Sequence, residues 1–445
     1  MSNEFITLYK ENKKTLDFNA SELVNSIREK AFQQFQKIGL PDKNGEDYRY
    51  IDLEKIFQGY FSNAFKPQKL SVDFSSLFQC NVPELDSYVV LLVNGWYYSE
   101  NQKLELPKGV IIGSFQEMSK KHPDIFEKYY SKAAPYDKDG LVALNTAFAQ
   151  DGLFVFIPQN VVIEKPVQII NILVHDGDFM LQQRNLICCD ENSNAKIVIC
   201  DHTLTPFKFL NNSVTEVFVE RNANMSIFNI QDQNNSSVHI NALHAKTKQN
   251  GIFTSNTASL HGGTIRNNFI ATMEEPNAEV NISGIFLMDR KQHIDNFTFV
   301  DHAVPDCVSN QLFKGILDDD ATGAFNGRIL VRKDAQRTNA FQRNNNVLMS
   351  DNARMASKPQ LEIYADDVKC SHGATSGHIN EDALFYLRSR GISEKEARLM
   401  IMLAFANEVI SKIDFAPLRE RIEELVDKRL RGELSRCSNC VVNCG

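Results

Sequence analysis

Along residues 141–368, apolar and polar positions alternate in short runs such as KIVIC (Lys196–Cys200), MSIFNI (Met225–Ile230) and EVNISGIF (Glu279–Phe286). Asn, Asp, Gly and Thr punctuate them. A period of two is what a strand needs if every second side chain enters a core. The punctuation itself recurs. Asn194-Ala195 precedes Ile197 and Ile199, Asn222-Ala223 precedes Met225 and Ile227, Asn250-Gly251 precedes Phe253, and Asn277-Ala278 precedes Val280 and Ile282. The intervals are 28, 28 and 27 residues, with Ser255 loosening the third copy. A fixed period of this size predicts a parallel β-helix, a solenoid with room for about eight rungs. Ile197, Met225, Phe253 and Val280 would form one inward column, and the corner asparagines a hydrogen-bonded ladder. A β-sandwich with regularly spaced strands is the competing fold.

The flanks have a different texture. Residues 1–140 read as a mixed, mostly helical N-terminal domain. Ser21 opens an amphipathic helix with Leu23, Val24 and Ile27, and Pro41–Gly45 breaks the chain before EDYRYIDLEKIF (Glu46–Phe57). Asn94-Gly95 inside Leu85–Glu100 signals a hairpin, and a helical stretch covers Ser114–Ala134. Residues 369–436 predict a helical C-terminal domain. Asn380 caps EDALFYLRSR, which Gly391 ends; Ser393 and Glu396 form a capping box; Pro417 opens a third helix that Gly432 closes. On the middle helix, Ala397, Met400, Ile401, Ala404, Phe405 and Val409 share one face. Residues 437–445 are a Cys-rich tail. The fold class is therefore mainly β, a parallel β-helix core between a helical N-terminal domain and a small all-α C-terminal domain.

Composition narrows the function classes. A chain of 445 residues with 43% hydrophobic residues and 30 Phe supports two or three domains with a substantial core, which rules out global disorder. The net charge of −8 argues against phosphate-backbone binding, so no nucleic-acid partner is expected. The most apolar run, Tyr88–Val93, is far short of the roughly 18 to 20 residues that cross a bilayer. The first residues, MSNEFITLYKENKK, carry charges where a secretion signal needs an apolar core. A cytoplasmic protein is expected, without membrane partners. Nine cysteines then read as reduced thiols, with Cys80, Cys188, Cys189, Cys200 and Cys307 in contexts of small buried hydrophobes.

Candidate chemistry is sparse. The chain has no GxxxxGK[ST] phosphate loop, hence no ATP site, and neither a GxSxG elbow nor an HExxH helix. His239 and His244 read as packed histidines, and Asp318-Asp319-Asp320 as a solvated corner rather than a hard-cation site. Val368–Thr375 (VKCSHGAT) is sharper. Cys370 and His372, two apart on an extended strand, face one side and offer a thiolate and an imidazole, ligands suited to iron, zinc or a sulfur-carrying intermediate. Two ligands do not complete a tetrahedral site, so a partner or small molecules must supply the rest. An incidental Cys-x-His is the alternative. The tail Cys437-x₂-Cys440-x₃-Cys444 places three thiols in eight residues, for metal, sulfur or simple oxidation.

At this point a family resemblance enters. Residues 366–410 (DDVKCSHGATSGHINEDALFYLRSRGISEKEARLMIMLAFANEVI) resemble the signature region of the SufB/SufD family of iron–sulfur cluster assembly scaffolds. The form Cys370–Thr375 is similar to SufD, where SufB typically has a C-E-H-E-A version. The resemblance continues through Phe325–Ile363 and, more faintly, Glu46–Tyr50, where Tyr48 replaces the usual Trp. It implies a SufD-like scaffold without turnover of its own, in a complex of one SufB, one SufD and two SufC ATPases. SufC would dock on the C-terminal helices, with Met400 and Phe405 as candidate contacts, and its force would enter through Ser393–Ile410. The two solenoids would pair, with iron or a transient Fe–S cluster held at their interface by His372, and Cys370 beside it. The resemblance also brings a reduced flavin in the complex, and a homodimer for the isolated chain. The Cys437–Cys444 tail lies outside the family pattern. A carbohydrate-active, pectate-lyase-like solenoid and a self-assembling structural solenoid are the competing classes.

Overall fold

The computed structural model describes residues 2–18, 20–58, 62–63, 65–67, 85–98 and 104–433. Its centre is the parallel solenoid that the repeat predicts. One sheet stacks β6 (Val167–Leu173), β8 (Asn194–Thr203), β10 (Asn224–Asp232), β12 (Ile252–His261), β14 (Glu279–Met288), β16 (Val308–Leu317), β18 (Thr338–Leu348) and β20 (Val368–Gly377). The other stacks β5 (Leu153–Ile157), β7 (Phe179–Cys189), β9 (Phe209–Val219), β11 (Val238–Thr247), β13 (Thr264–Met273), β15 (His293–His302), β17 (Thr322–Val331) and β19 (Arg354–Ile363). Sixteen strands result, eight in each sheet. The strands thus begin at Leu153, after a helix at 140–148, and continue to Gly377 rather than stopping at 368.

Register explains the repeat and corrects it. Met225, Phe253 and Val280 stand directly opposite one another and are fully buried. Ile197 is not their neighbour. It lies opposite Ile227, in the next inward column, and Ala195 fills the position beside Met225. The cause is the corner: Asn192, not Asn194, adopts the left-handed conformation (φ 57) that Asn222 and Asn250 share (φ 55 each). The ladder expected from these corners is present. Asn192 Nδ2 donates to Asn160 Oδ1, Asn222 Nδ2 to Asn192 Oδ1, and Asn250 Nδ2 to Asn222 Oδ1, each at 2.9 Å.

The N-terminal region covers the outer face of the second sheet. Its elements are α1 (Ser2–Phe18), α2 (Glu22–Ile38), a 3₁₀ turn at Glu46–Tyr48, α3 (Leu53–Phe57), β1 (Ser62–Asn63), the hairpin β2 (Tyr88–Val93) and β3 (Trp96–Tyr98), and β4 (Ile111–Ser114). Three helices follow, α4 (Phe115–Lys121), α5 (Pro123–Tyr129) and α6 (Gly140–Phe148). The hairpin turns at Asn94 and Gly95, both with positive φ, and β2 extends the first sheet alongside β6. The single helix expected over 114–134 is two, because Pro123 cannot continue α4 and instead opens α5. Fully buried charges fasten this layer. Glu216 on β9 pairs with Arg184 on β7 at 2.6 Å and accepts the backbone N–H groups of Ser131, Ala133 and Ala134.

The C-terminal helices α7 (Glu381–Ser389), α8 (Glu394–Ile410) and α9 (Ala416–Arg431) pack on the outer face of the first sheet. Asn380 and Ser393 cap α7 and α8 as expected, and Gly432 ends α9 in the left-handed region. The buried face of α8 differs from the expected one. Ala397 packs with Leu384 of α7, while Ala406, Val409 and Ile410 pack on the sheet and α9. Met400 and Ala404 therefore point away from both. A helix with different neighbours at its two ends has no single apolar stripe.

Candidate functional site

The last strands of the two sheets, β19 and β20, each pair on one side only. Among the described residues, nothing covers the solenoid here. Cys370 and His372 lie within β20, as the extended-strand reading expects. Both occupy inward columns. Cys370 ends the column Met225–Phe253–Val280–Ser309–Ala340, and His372 ends Ile227–Ser255–Ile282–Gln311–Gln342. Cys370 is half-buried against Ile329, Val331 and Ala340. His372 is exposed, because the turn that would bury it does not exist.

Burial pushes the Cys370 thiol above its ordinary value, against a smaller lowering by the backbone N–H of Ala340. It is a protonated thiol at neutral pH, weakly nucleophilic unless a metal displaces the proton.

The interior behind these residues is polar. Gln342 Nε2 donates to Gln311 Oε1 at 3.0 Å, and Thr298 donates to the same oxygen at 2.6 Å. Ser357 on β19 donates to Asn344 Oδ1 at 2.7 Å, and Asn346 reaches Ser357 and Ser376. His302 Nε2 meets Ser309 Oγ at 2.8 Å, and its burial holds the imidazole down at about 4.

The element EDYRY fixes this end from outside. Tyr48 lies over the Arg266 guanidinium at 4.6 Å, and Arg266 Nη2 donates to the Asp47 carbonyl at 2.7 Å. Glu46 pairs with Lys358 on β19 and accepts from Gln360 Nε2 at 2.7 Å. Tyr at position 48 thus supplies the aromatic face over the arginine.

A cleft of about 820 Å³ opens on the outer face beside the site, lined by Asn281, Asn310, Phe341, Arg343, Ser371 and Lys412 among others. On the helices, Met400 is 42% exposed, whereas Phe405 is half-buried with Lys314 Nζ 4.2 Å from its ring centroid. Phe385 and Tyr386 of α7 are more exposed still, at 75% and 58%. Their positions in the run ALFYL gave a periodicity signal too short to separate the inward Leu384 from its neighbours.

Other sequence candidates are elsewhere. His239 is buried, its Nδ1 facing Gln233 and Asn211, and His244 is buried with its ring held down at about 3. Asp318–Asp320 form an exposed corner, where Asp319 accepts from the Arg290 N–H. Cys188, Cys189, Cys200 and Cys307 are buried cysteines outside any disulfide. Cys80, Cys437, Cys440 and Cys444 lie outside the described residues. Acidic and arginine side chains that a carbohydrate-active solenoid would show on an open face, such as Arg184, Glu216, Arg266 and Asp295, are buried in pairs under the N-terminal layer. Among the described residues, no helix is long and apolar enough to cross a membrane.

The chain is a parallel solenoid with helices on both outer faces and a thiol and an imidazole on its last strand. The comparisons give this architecture its family. Residues 172–405 match the SufBD core domain of the SUF system for FeS cluster assembly, and residues 1–169 match the SufBD N-terminal region. The chain belongs to the SufBD family. It is similar to an iron–sulfur cluster assembly SufBD family protein of Synechocystis, 29% identical over 92% of this chain and 91% of that protein. It is also similar to the iron–sulfur cluster assembly protein SufD of Escherichia coli, 27% identical over 90% and 92%, and to SufD of Bacillus subtilis, 27% identical over 75% and 77%.

Proposed function

We propose that this chain is the SufD-type scaffold subunit of an iron–sulfur cluster assembly complex, and that His372 with Cys370 contributes to holding iron or the nascent cluster as cargo. One observation carries the reading: the two metal-competent side chains end adjacent inward columns on a strand whose outer edge is unpaired. A second solenoid of the SufB type, laid against β19 and β20, would complete both the backbone pairing and the ligand set. The chain supplies positions and ligands and performs no turnover.

The ATPase enters at the other end of the C-terminal layer. Phe385, Tyr386 and Met400 are large apolar side chains that a partner of the SufC type would cover. Motion imposed there reaches the solenoid through Glu408 of α8, which pairs with both Lys314 on β16 and Arg343 on β18. Arg343 stands opposite Gly373, next to His372. The test is co-purification with SufB and SufC homologues, wild type against Phe385→Asp/Met400→Asp. The double variant should lose the ATPase and keep the SufB partner. Retention of both at wild-type stoichiometry would contradict the docking assignment.

A further inference from the structure

We propose that Gln342 is the positioning residue of His372: its side-chain oxygen accepts the imidazole N–H, fixes the ring's tautomer and directs the second nitrogen out of the open end. The inference rests on reading His372 as a ligand, and deepens it.

The side-chain ladder of this column has a direction. In this inward column Gln311, Gln342 and His372 occupy successive turns in exact register. Gln311 Oε1 already accepts from Thr298, and Gln342 Nε2 donates back to that same oxygen. A carboxamide whose nitrogen points to the preceding turn turns its oxygen away from that turn. Gln342 Oε1 is shut off from solvent and has no partner among the described residues. Buried acceptors of this kind are rarely left open in a folded protein.

The next member of the column is His372, and its imidazole makes no hydrogen bond among the described residues. In-register parallel strands lie about 4.8 Å apart, so rotation about the side-chain bonds of His372 brings a ring N–H to Gln342 Oε1. One bond then satisfies both groups. A histidine ligand is commonly held this way, with one nitrogen tied to a fixed acceptor and the other left free.

The opposite wall supports the same assignment. Gly327 on β17 faces the amide, and a Cβ there would fall 2.4 Å from Gln342 Nε2 and 2.8 Å from Oε1. A Cβ at position 327 would displace the carboxamide from this orientation. The Phe325–Ile363 stretch thereby contributes to the site through Gly327 and Gln342, neither of which is itself a metal ligand.

The test reads the tautomer in the isolated, iron-free chain. Full-length protein with ¹⁵N-labelled histidine is examined by long-range ¹H–¹⁵N correlation at about pH 9, where an imidazole is neutral. The His372 signals are identified by their loss in His372→Ala. In the wild type, one ring nitrogen should be protonated and the other bare, with the two resonances separated more widely than in a histidine peptide. Gln342→Leu should collapse that separation to the peptide value. Gly327→Ala should do the same by displacing the amide. Gln342→Glu, which keeps an acceptor and loses the donor, should preserve the wild-type pattern. Peptide-like signals in the wild type, no change in Gly327→Ala, or collapse in Gln342→Glu would each overturn the proposal. If Gln342→Leu does not fold, the Gly327→Ala and Gln342→Glu spectra decide. Iron retention by the complex with His372→Ala is a separate arm. A tautomer that depends on Gln342, alongside undiminished iron, would leave the positioning intact and remove the ligand role.

Discussion

The early and the late turns of the solenoid follow the same backbone path and have opposite interiors. In the column that begins Val167–Ile197–Ile227, each side chain is covered by a turn on either side and is apolar and fully buried. Three turns later the same column reads Gln311–Gln342–His372 and ends in solvent. Gln311 and Gln342 are as buried as the apolar positions and are held by hydrogen bonds, so coverage distinguishes only the last position, His372. A position sandwiched between turns gains from losing contact with water, whereas the last position has no second cover and can carry a polar, reactive group at little cost. A repeat architecture therefore puts its chemistry where the repeat stops.

The sharpest way to break this contrast is to remove bulk from the middle and from the end of one column. Phe253→Ala should cost about 3–5 kcal/mol, read from the denaturation midpoint, because the cavity is closed on both sides. Cys370→Ala, in the same column at the open end, should cost under about 1 kcal/mol. Equal costs would mean that the last turn is as tightly covered as the middle.

Acid should expose the buried polar interior next. His302 is neutral when folded, with its ring held at about 4 against about 6.5 in the unfolded chain. Because the folded value is the lower one, its contribution is complete above pH 6.5 and is lost as pH falls toward 4. The loss amounts to up to about 3 kcal/mol. His302→Gln should flatten that part of the stability profile. An unchanged slope would place the acid sensitivity in other groups.

Much of this was readable in advance, for a definable reason. The strands announce themselves because inward positions must be apolar, and the corners because Asn tolerates positive φ. Register was misread by two residues at Ile197, since both Asn192 and Asn194 sit near the turn and only conformation distinguishes them. Pro123 divided a helix that periodicity alone left whole. The pair Cys370 and His372 was found by ligand chemistry, yet its place on an edge strand was hidden: a strand that buries little shows little alternation. Gln342 and Gly327 gave no signal at all, because their meaning depends on which turn lies above and which wall lies opposite.

The corner ladder offers a smaller effect. Asn222→Ala should cost about 1–2 kcal/mol through lost ladder bonds and strain at φ 55, and Asn222→Gly less, since glycine accepts that conformation. Equal costs would assign the effect to the hydrogen bonds alone. Smallest of all should be His372→Ala, within about 1 kcal/mol of wild type in stability, because the side chain is exposed and gives up only its hydrogen bond to Gln342.

That last variant should nevertheless have the largest functional effect. The direct measurement is iron and sulfide retained per complex, assembled anaerobically with SufB and SufC homologues, for wild type and His372→Ala at matched stoichiometry and folding. The account predicts an intact complex with markedly less iron and less cluster passed to an acceptor. Equal iron and equal transfer would contradict it, and would reduce the open end of the solenoid to a surface for pairing.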